Sequence, residues 1–232
     1  MNLEDAIKKA HDALNLAVTN AVAEVLQAAL ADDRTPLRNA LALEKVSSSV
    51  GTGGDNPDVV VFGDINGLKN LNDQFGHVVG DAAIGRIGEL LKNVSDRCKG
   101  HAFRRSGDEF IVLLSRSSLE QFENEVSAFN PCEFQSDEKS YRTGISFGYS
   151  ISGGEIDFID LLSRAEAACQ IAKSQGDGKC VRWTEEIERQ TVESLRDRCR
   201  NCGSLIVCSI PRAALPANRQ LTTCPCCGTT LS

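Results

Sequence analysis

The sequence predicts an α+β domain at the centre of the chain: a central sheet containing antiparallel strands and covered by helices, with a long helix ahead of it and a small cysteine-rich module behind it. Three observations predict this. Leu3, Ile7, Ala10, Leu14, Val18, Val22, Val25 and Ala29 step by three or four, an apolar stripe along one helix over residues 1–31. The middle of the chain alternates β-branched runs with stretches of helical periodicity. The last residues carry two Cys-x-x-Cys pairs.

Asn2 is placed to cap the first helix, and Glu4 and Asp5 suit its positive end. The stripe is alanine-rich and not strictly heptad, so packing on the helix's own domain and packing on a second copy both remain open. Thr35-Pro36 breaks the chain, and residues 47–57 are polar and glycine-rich, a loop. Asp58-Val-Val-Val-Phe-Gly63 is a buried strand, followed by helical segments at 68–72 and 81–93. Residues 101–105 and 110–114 are strands flanking the turn Ser106-Gly-Asp-Glu109. Residues 141–151 read as one strand, 158–174 as a helix ended by Gly176, and 184–198 as a charged linker helix. The domains are therefore residues 1–31, 32–183, 184–198 and 199–232.

Of 232 residues, 41% are hydrophobic and 25% charged, an ordinary globular balance. Lys and Arg number 25 against 32 Asp and Glu, and the net charge of -7 disfavours nucleic-acid binding through the whole surface. Ten cysteines would suit a secreted chain. However, Glu4, Asp5, Lys8, Lys9 and His11 interrupt residues 1–30, which do not form a signal peptide. No stretch approaches the roughly 20 apolar residues of a membrane span. The expectation is a cytoplasmic chain without a membrane partner, its cysteines reduced or metal-bound. Isolated Cys98, Cys132, Cys169 and Cys180 read as small core residues, and His11, His77 and His101 as polar residues rather than ligands.

Asp64 ends an apolar strand, and Asp108 and Glu109 sit at a hairpin tip. Carboxylates at the ends of adjacent strands converge and need a cation or protons to offset their repulsion. Hard oxygen donors favour Mg²⁺ held together with substrate phosphates. Ile65-Asn66-Gly67-Leu68 turns directly from Asp64 into a helix and exposes backbone N–H groups, a phosphate cradle, and Lys69 adds positive charge. On local grounds alone, Asn72 and Asp81 are equally well read as helix caps.

The order of motifs goes further. Asp64-Ile-Asn-Gly-Leu-Lys69-Asn-Leu-Asn72 through Gly80-Asp81, then Arg104-Arg-Ser106-Gly107-Asp108-Glu109-Phe110, resembles the signature of the GGDEF family of diguanylate cyclases. Thr143 to Gly148, Ala165 to Gly176 and the turn Asp32 to Asn39 resemble that family's later strand, late helix and opening turn. The resemblance covers residues 32–183 and implies a GGDEF, nucleotide-cyclase-like fold. It implies that Asp64, the Ile65 carbonyl and Asp108 hold two Mg²⁺ ions per active site, with Glu109 supporting the second metal or the attacking hydroxyl. Lys69, Lys173, Leu68, Gly107 and the amides after Ile65 would bind the triphosphate, and Asn72 and Asp81 would read the base. A carboxylate accepts from both N1–H and N2–H₂ of guanine but faces an acceptor at N1 of adenine, so Asp81 favours GTP. The implied reaction joins two GTP into cyclic di-GMP with release of two pyrophosphates, in a homodimer. The alternative is a catalytically weak or inactive GGDEF domain that binds GTP or a cyclic dinucleotide and signals through its zinc ribbon.

Four positions depart from the family pattern. Ser106 replaces the hairpin's first Gly, and Asn66 stands where many members carry Asp. Asp177 follows Gly176 where the family offers Arg to phosphate, an unfavourable exchange that Lys179 could offset. The family's Arg-x-x-Asp product site reads Arg97-Cys-Lys-Gly100, so weak or absent product inhibition is expected.

Cys199, Cys202, Cys224 and Cys227 form two Cys-x-x-Cys-Gly knuckles with 21 residues between them, the pattern of a structural Zn²⁺ ribbon. Metal binding would supply most of the folding energy of so short a module. Cys208 and Cys226 are spare. Arg200, Arg212 and Arg219, with no acidic residue after position 198, leave the module near +1 once four thiolates hold one Zn²⁺. That is a thin basis for nucleic-acid binding, so a protein partner is at least as well supported.

Overall fold

Val59–Ile65 (β1) is buried at every position, because its run of valines and Phe62 offers apolar surface to both faces of a sheet. The computed structural model describes residues 3–49, 57–153, 157–176, 178–187, 192–198 and 205–211. His101–Ser106 (β2) and Glu109–Leu114 (β3) form the expected hairpin, and β3 pairs antiparallel with β1. Ile145–Ile151 (β6) pairs antiparallel with the other side of β1, and Cys180–Arg182 (β7) adds a parallel edge. The five-stranded order is β2-β3-β1-β6-β7.

Helices cover both faces. On one side Val59, Val61 and Val112 pack with Val79, Ile87 and Leu91 of His77–Arg97 (α4), joined by Phe122 of Leu119–Phe129 (α5). On the other, Val60, Phe62 and Ile111 meet Leu161, Ala165 and Cys169 of Phe158–Ser174 (α6) and Leu43 of Ala40–Ser49 (α2). Phe62, Phe103, Phe110, Phe122 and Phe147 are fully buried. Each contributes about 2 kcal/mol by leaving water. Cys98, Cys132, Cys169 and Cys180 are free thiols of this core. Burial pushes Cys169 and Cys180 up to about 12, so both stay protonated and unreactive at neutral pH.

Two expected elements differ. Residues 141–151 are not one strand. Lys139–Thr143 (β5) pairs with Cys132–Ser136 (β4) in a separate two-stranded sheet, and the chain then crosses Gly144 into β6. Asn130 closes that break, its side chain accepting from the Ile145 amide at 3.1 Å and donating to the Ile145 carbonyl at 2.6 Å. Of the linker helix expected over 184–198, residues 185–187 are helical, but 192–198 are corrected. Val192–Arg198 (β8) is a strand paired antiparallel with Leu205–Pro211 (β9). Charged spacing alone suited a helix, but the apolar run from Leu205 to Val207 supplies a ladder partner, and pairing overrides local propensity. The turn of this hairpin and all four predicted zinc ligands, Cys199, Cys202, Cys224 and Cys227, lie outside the described residues, as does Asp177.

Leu3–Leu30 (α1) is the long first helix, but it does not pack its stripe on its own domain. Ile7 is 60% exposed, Leu14 62% and Val25 69%. Ile7–Leu30 is also long and apolar enough to cross a membrane, with hydropathy 1.3 over its best window, which corrects the expectation that no stretch approaches this. Alanines raise the mean where large apolar side chains are sparse.

A short turn fastens α1 to the sheet. Asn39 donates to the carbonyls of Ala29 and Ala31 at 2.9 and 3.0 Å, ending α1, and accepts from the Ala42 amide at 3.0 Å, starting α2. Arg104 of β2 reaches back to this turn, its Nη1 lying 3.2 Å from both oxygens of Asp32. Both side chains are about nine-tenths buried. Burial pushes the Asp32 carboxyl up, but hydrogen bonds from Thr35 and the Arg34 amide, with the Arg104 charge, outweigh it and hold the group below its ordinary value.

Asp32→Asn is expected to destabilise the domain by about 3 kcal/mol at pH 7, measured by urea unfolding. A depressed carboxyl stabilises fully at neutral pH and loses that contribution as pH falls through its folded value, so wild type and variant should converge in strong acid. Equal midpoints at pH 7 would show that the clasp contributes nothing. Gly148→Ala would place a Cβ 2.1 Å from the Cys169 amide nitrogen and 2.2 Å from the Ala165 carbonyl oxygen. Because these are backbone atoms of α6, a loss of about 3 kcal/mol or more is expected in thermal unfolding.

Candidate functional site

The β1–β3 register sets Asp64 opposite Glu109, and the Ile65 amide donates to the Asp108 carbonyl at 3.1 Å. Asp64, Asp108 and Glu109 are thus brought to one end of the sheet, as the sequence predicted. Asp64 is 9% exposed, and burial raises its carboxyl above the ordinary range. Lys173, in the last turn of α6, opposes that shift from 2.6 Å, while the charges of Asp108 and Glu109 add to it. Lys173 is therefore seated on Asp64 rather than extended toward a phosphate position.

The hairpin tip is held from several sides. Arg104 Nε and Nη2 donate to the Gly107 carbonyl at 3.0 and 2.9 Å. Gly107 takes the left-handed conformation, φ 33°, so Ser106 carries no such strain. Ser106 instead donates from its hydroxyl to Glu109 Oε2 at 2.7 Å. Arg105 lies 3.5 Å from Glu166 and 3.9 Å from Glu109. None of these partners is readable from local spacing; only the hairpin itself brings Ser106 back over Glu109.

Beyond Asp64 the chain enters Leu68–Phe75 (α3) with Gly67 as an N-cap that offers no side-chain hydrogen bond. The first-turn amides, including those of Leu68 and Lys69, are left for an outside acceptor. Leu68 is buried and Lys69 exposed. Asn66 is held differently: its amide donates to the Gly144 carbonyl at 2.8 Å and its Oδ1 accepts from Ser146 at 2.9 Å.

Asn72 and Asp81 are not helix caps. Asn72 lies within α3, and α4 starts at His77 after Gly76, so Asp81 falls in its second turn. Asn72 packs against Gly80, the residue before Asp81, where α3 meets α4. Asn72 Oδ1 is buried without a hydrogen-bond partner, 1.8 Å from where a Cβ on Gly80 would sit. Arg34 of the opening turn pairs with Asp81. Arg97 is likewise engaged, its Nε donating to Glu125 Oε1 at 2.7 Å.

An oxygen-only donor set of the Asp64 and Asp108 carboxylates and the Ile65 carbonyl fits a hard divalent cation. Among the described residues no three His, Cys, Asp or Glu side chains are grouped to hold a metal alone. The set suits an ion that is shared with phosphate oxygens. A cleft of about 520 Å³ lies elsewhere, along α5, lined by Gln121 and Asn124.

Comparison with known proteins places this geometry. Residues 29–179 match the family model described as "Diguanylate cyclase, GGDEF domain". The chain is 30% identical over 125 residues to a probable diguanylate cyclase of Escherichia coli, DgcE, covering 52% of this chain and 11% of that one. It is 26% identical over 190 residues to the bifunctional diguanylate cyclase/cyclic di-GMP phosphodiesterase MucR of Pseudomonas aeruginosa, covering 77% of this chain and 27% of that one. It thus spans well under a third of the length of these relatives. The GGDEF domain of TpbB (YfiN) from Pseudomonas aeruginosa matches with a TM-score of 0.58 and 25% identity over 68% of this chain and 97% of that one. The coiled coil and GGDEF domain of DgcB from Caulobacter crescentus shares the fold, with a TM-score of 0.59 and 20% identity over 78% of this chain and all of that one. With its strand-end carboxylates, signature hairpin and family match in place, the chain belongs to the GGDEF family.

Proposed function

We propose that the chain is a diguanylate cyclase that condenses two GTP into cyclic di-GMP and two pyrophosphates. The observation that carries this reading is the convergence of Asp64, Asp108 and Glu109 beside the uncapped start of α3. Mg²⁺, held by Asp64, the Ile65 carbonyl and Asp108 together with the triphosphate, would supply charge neutralisation at the attacking and leaving oxygens. The Leu68 and Lys69 amides cradle the phosphates and the Lys69 ammonium adds charge. On this reading Lys173 turns from Asp64 to phosphate oxygens when nucleotide binds, and Asp64 would then be free to hold the metal. Glu109, fixed by Ser106, is placed to support the metal or accept the proton of the attacking 3′-hydroxyl.

Each site carries one set of base and phosphate groups, so the second GTP comes from a second copy. We infer that α1 pairs with its counterpart. Leu3, Leu14 and Val25, and Ile7, Val18 and Ala29, repeat at eleven residues, a period that keeps a seam on one face of a nearly straight helix. Asp12, Asn15, Asn20, Glu24 and Gln27 fall outside this seam, and a bilayer would have to accommodate them in hydrocarbon. The reading is accordingly a cytoplasmic homodimer. The tail is proposed to hold one structural Zn²⁺ through Cys199, Cys202, Cys224 and Cys227 and to dock a protein partner. An inactive, nucleotide-binding domain is the competing reading, motivated by Asp177.

Purified protein given Mg²⁺ and GTP is expected to yield cyclic di-GMP, and Asp108→Asn to lower the rate about a hundredfold or more, some 3 kcal/mol of barrier. Nucleotide binding with no product from wild-type dimer would decide for the inactive domain. Removal of residues 1–30 should convert dimer to monomer in light scattering and abolish most turnover. Recovery of the intact chain with sedimented membranes would count against the helix pairing. Metal analysis should find one Zn²⁺ per chain, lost in Cys202→Ser.

A further inference from the structure

Arg34 is not part of any role assigned above, yet its guanidinium sits on the carboxylate expected to read the base. It reaches Asp81 from the opening turn, where its own amide is anchored to Asp32 at 3.2 Å. The Arg34 and Asp81 side chains are each about half exposed, 48% and 47%, so the pair stands at an accessible edge. Against Gly80, the residue before Asp81, Asn72 Oδ1 is buried with no donor, in a space that Gly80 leaves open by lacking a side chain.

The groups gathered here are complementary to one base. Asn72 Oδ1 and the Asp81 carboxylate are acceptors, and guanine offers them N1–H and N2–H₂. What then remains on guanine is O6 and N7, both acceptors, and a bound guanine needs a donor facing them. Arginine supplies a planar fork of five N–H donors, and its pairing with guanine O6 and N7 is a recurrent, discriminating contact. Adenine presents an N6–H₂ donor at the same place, which a guanidinium cannot satisfy. We propose that Arg34 is a specificity-determining residue that reads O6 and N7 of guanine while keeping one N–H on Asp81. This rests on the GTP reading above and extends it: Asp81 and Arg34 reject adenine at different atoms. Arg34 also fixes the Asp81 carboxylate in the plane from which it meets the base.

The test is equilibrium binding to the full chain, with 3′-deoxy nucleotides, which lack the attacking hydroxyl and so cannot turn over. The probes are 3′-deoxy-GTP and 3′-deoxy-7-deaza-GTP, which keeps N1–H, the 2-amino group and O6 but lacks N7. Wild type should prefer the guanine nucleotide, and Arg34→Leu should reduce that preference about tenfold, within the range of a good arginine–guanine pair. Arg34→Lys should fall between the two, because it keeps charge without the fork. Thermal midpoints of the variants should match wild type, since the Arg34 side chain is half exposed. An unchanged preference in Arg34→Leu would overturn the proposal, and so would tighter guanine binding, which would make Arg34 a competitor for Asp81. If wild type binds neither nucleotide, the GTP reading itself fails, a result distinct from either of these.

Discussion

The pairing of Asp64 with Glu109 across β1 and β3 is the constraint on which the rest of the site depends. A slip of one residue would turn Val59, Val61 and the remaining side chains of β1 to the opposite layer of helices, and would turn Asp64 with them. Register is therefore set by burial of both faces of β1, far from any polar chemistry. The same core that stabilises the sheet places three carboxylates at its end. The burial that raises the Asp64 carboxyl, with Asp108 and Glu109 nearby, creates a local demand for positive charge. Lys173 answers part of that demand from α6, and the proposed metal answers the rest.

Arg104 adds a second constraint. One guanidinium holds the Gly107 carbonyl on one side and Asp32 on the other, joining the hairpin tip to the turn that follows α1. A charge so nearly buried is tolerated because its donors meet a carboxylate and a carbonyl at good geometry. The clasp makes the hairpin and the end of α1 one mechanical unit. Arg34, on the same turn, extends that unit to Asp81 on α4. Any displacement of α1 is thus felt at two places in the site, the carboxylate hairpin and Asp81.

The sequence made the strand ends, the signature hairpin, α6 and the long α1 legible, because each carries its own periodicity or turn chemistry. It did not separate β5 from β6, since residues 141–151 are uniformly strand-like and the break at Gly144 is enforced by Asn130, fourteen positions earlier. It misread 192–198 because a charged segment with two apolar residues suits either period, and only the partner β9 decides. At the site, Asp64, Asp108, Glu109, Asn72 and Asp81 were readable from motif order. Their partners were not. Ser106 on Glu109, Lys173 on Asp64 and Glu125 on Arg97 each depend on a chain reversal or a tertiary contact that spacing does not encode.

These partners bear on how the site would switch. In the structure Lys173 pairs with Asp64 and Arg34 with Asp81, so both carboxylates already face a cation. On the proposed reading GTP and its metal do not enter a cluster of bare anions; they exchange for cations already in place. Lys173 is released toward the triphosphate, where its charge is still used, and Arg34 keeps Asp81 while turning its remaining donors to the base. Both exchanges conserve charge pairing, so binding avoids leaving a buried ion unpaired, the costliest outcome in such a site. On the proposed reading, the exposed apolar stripe of α1 gives a second copy a place to pack.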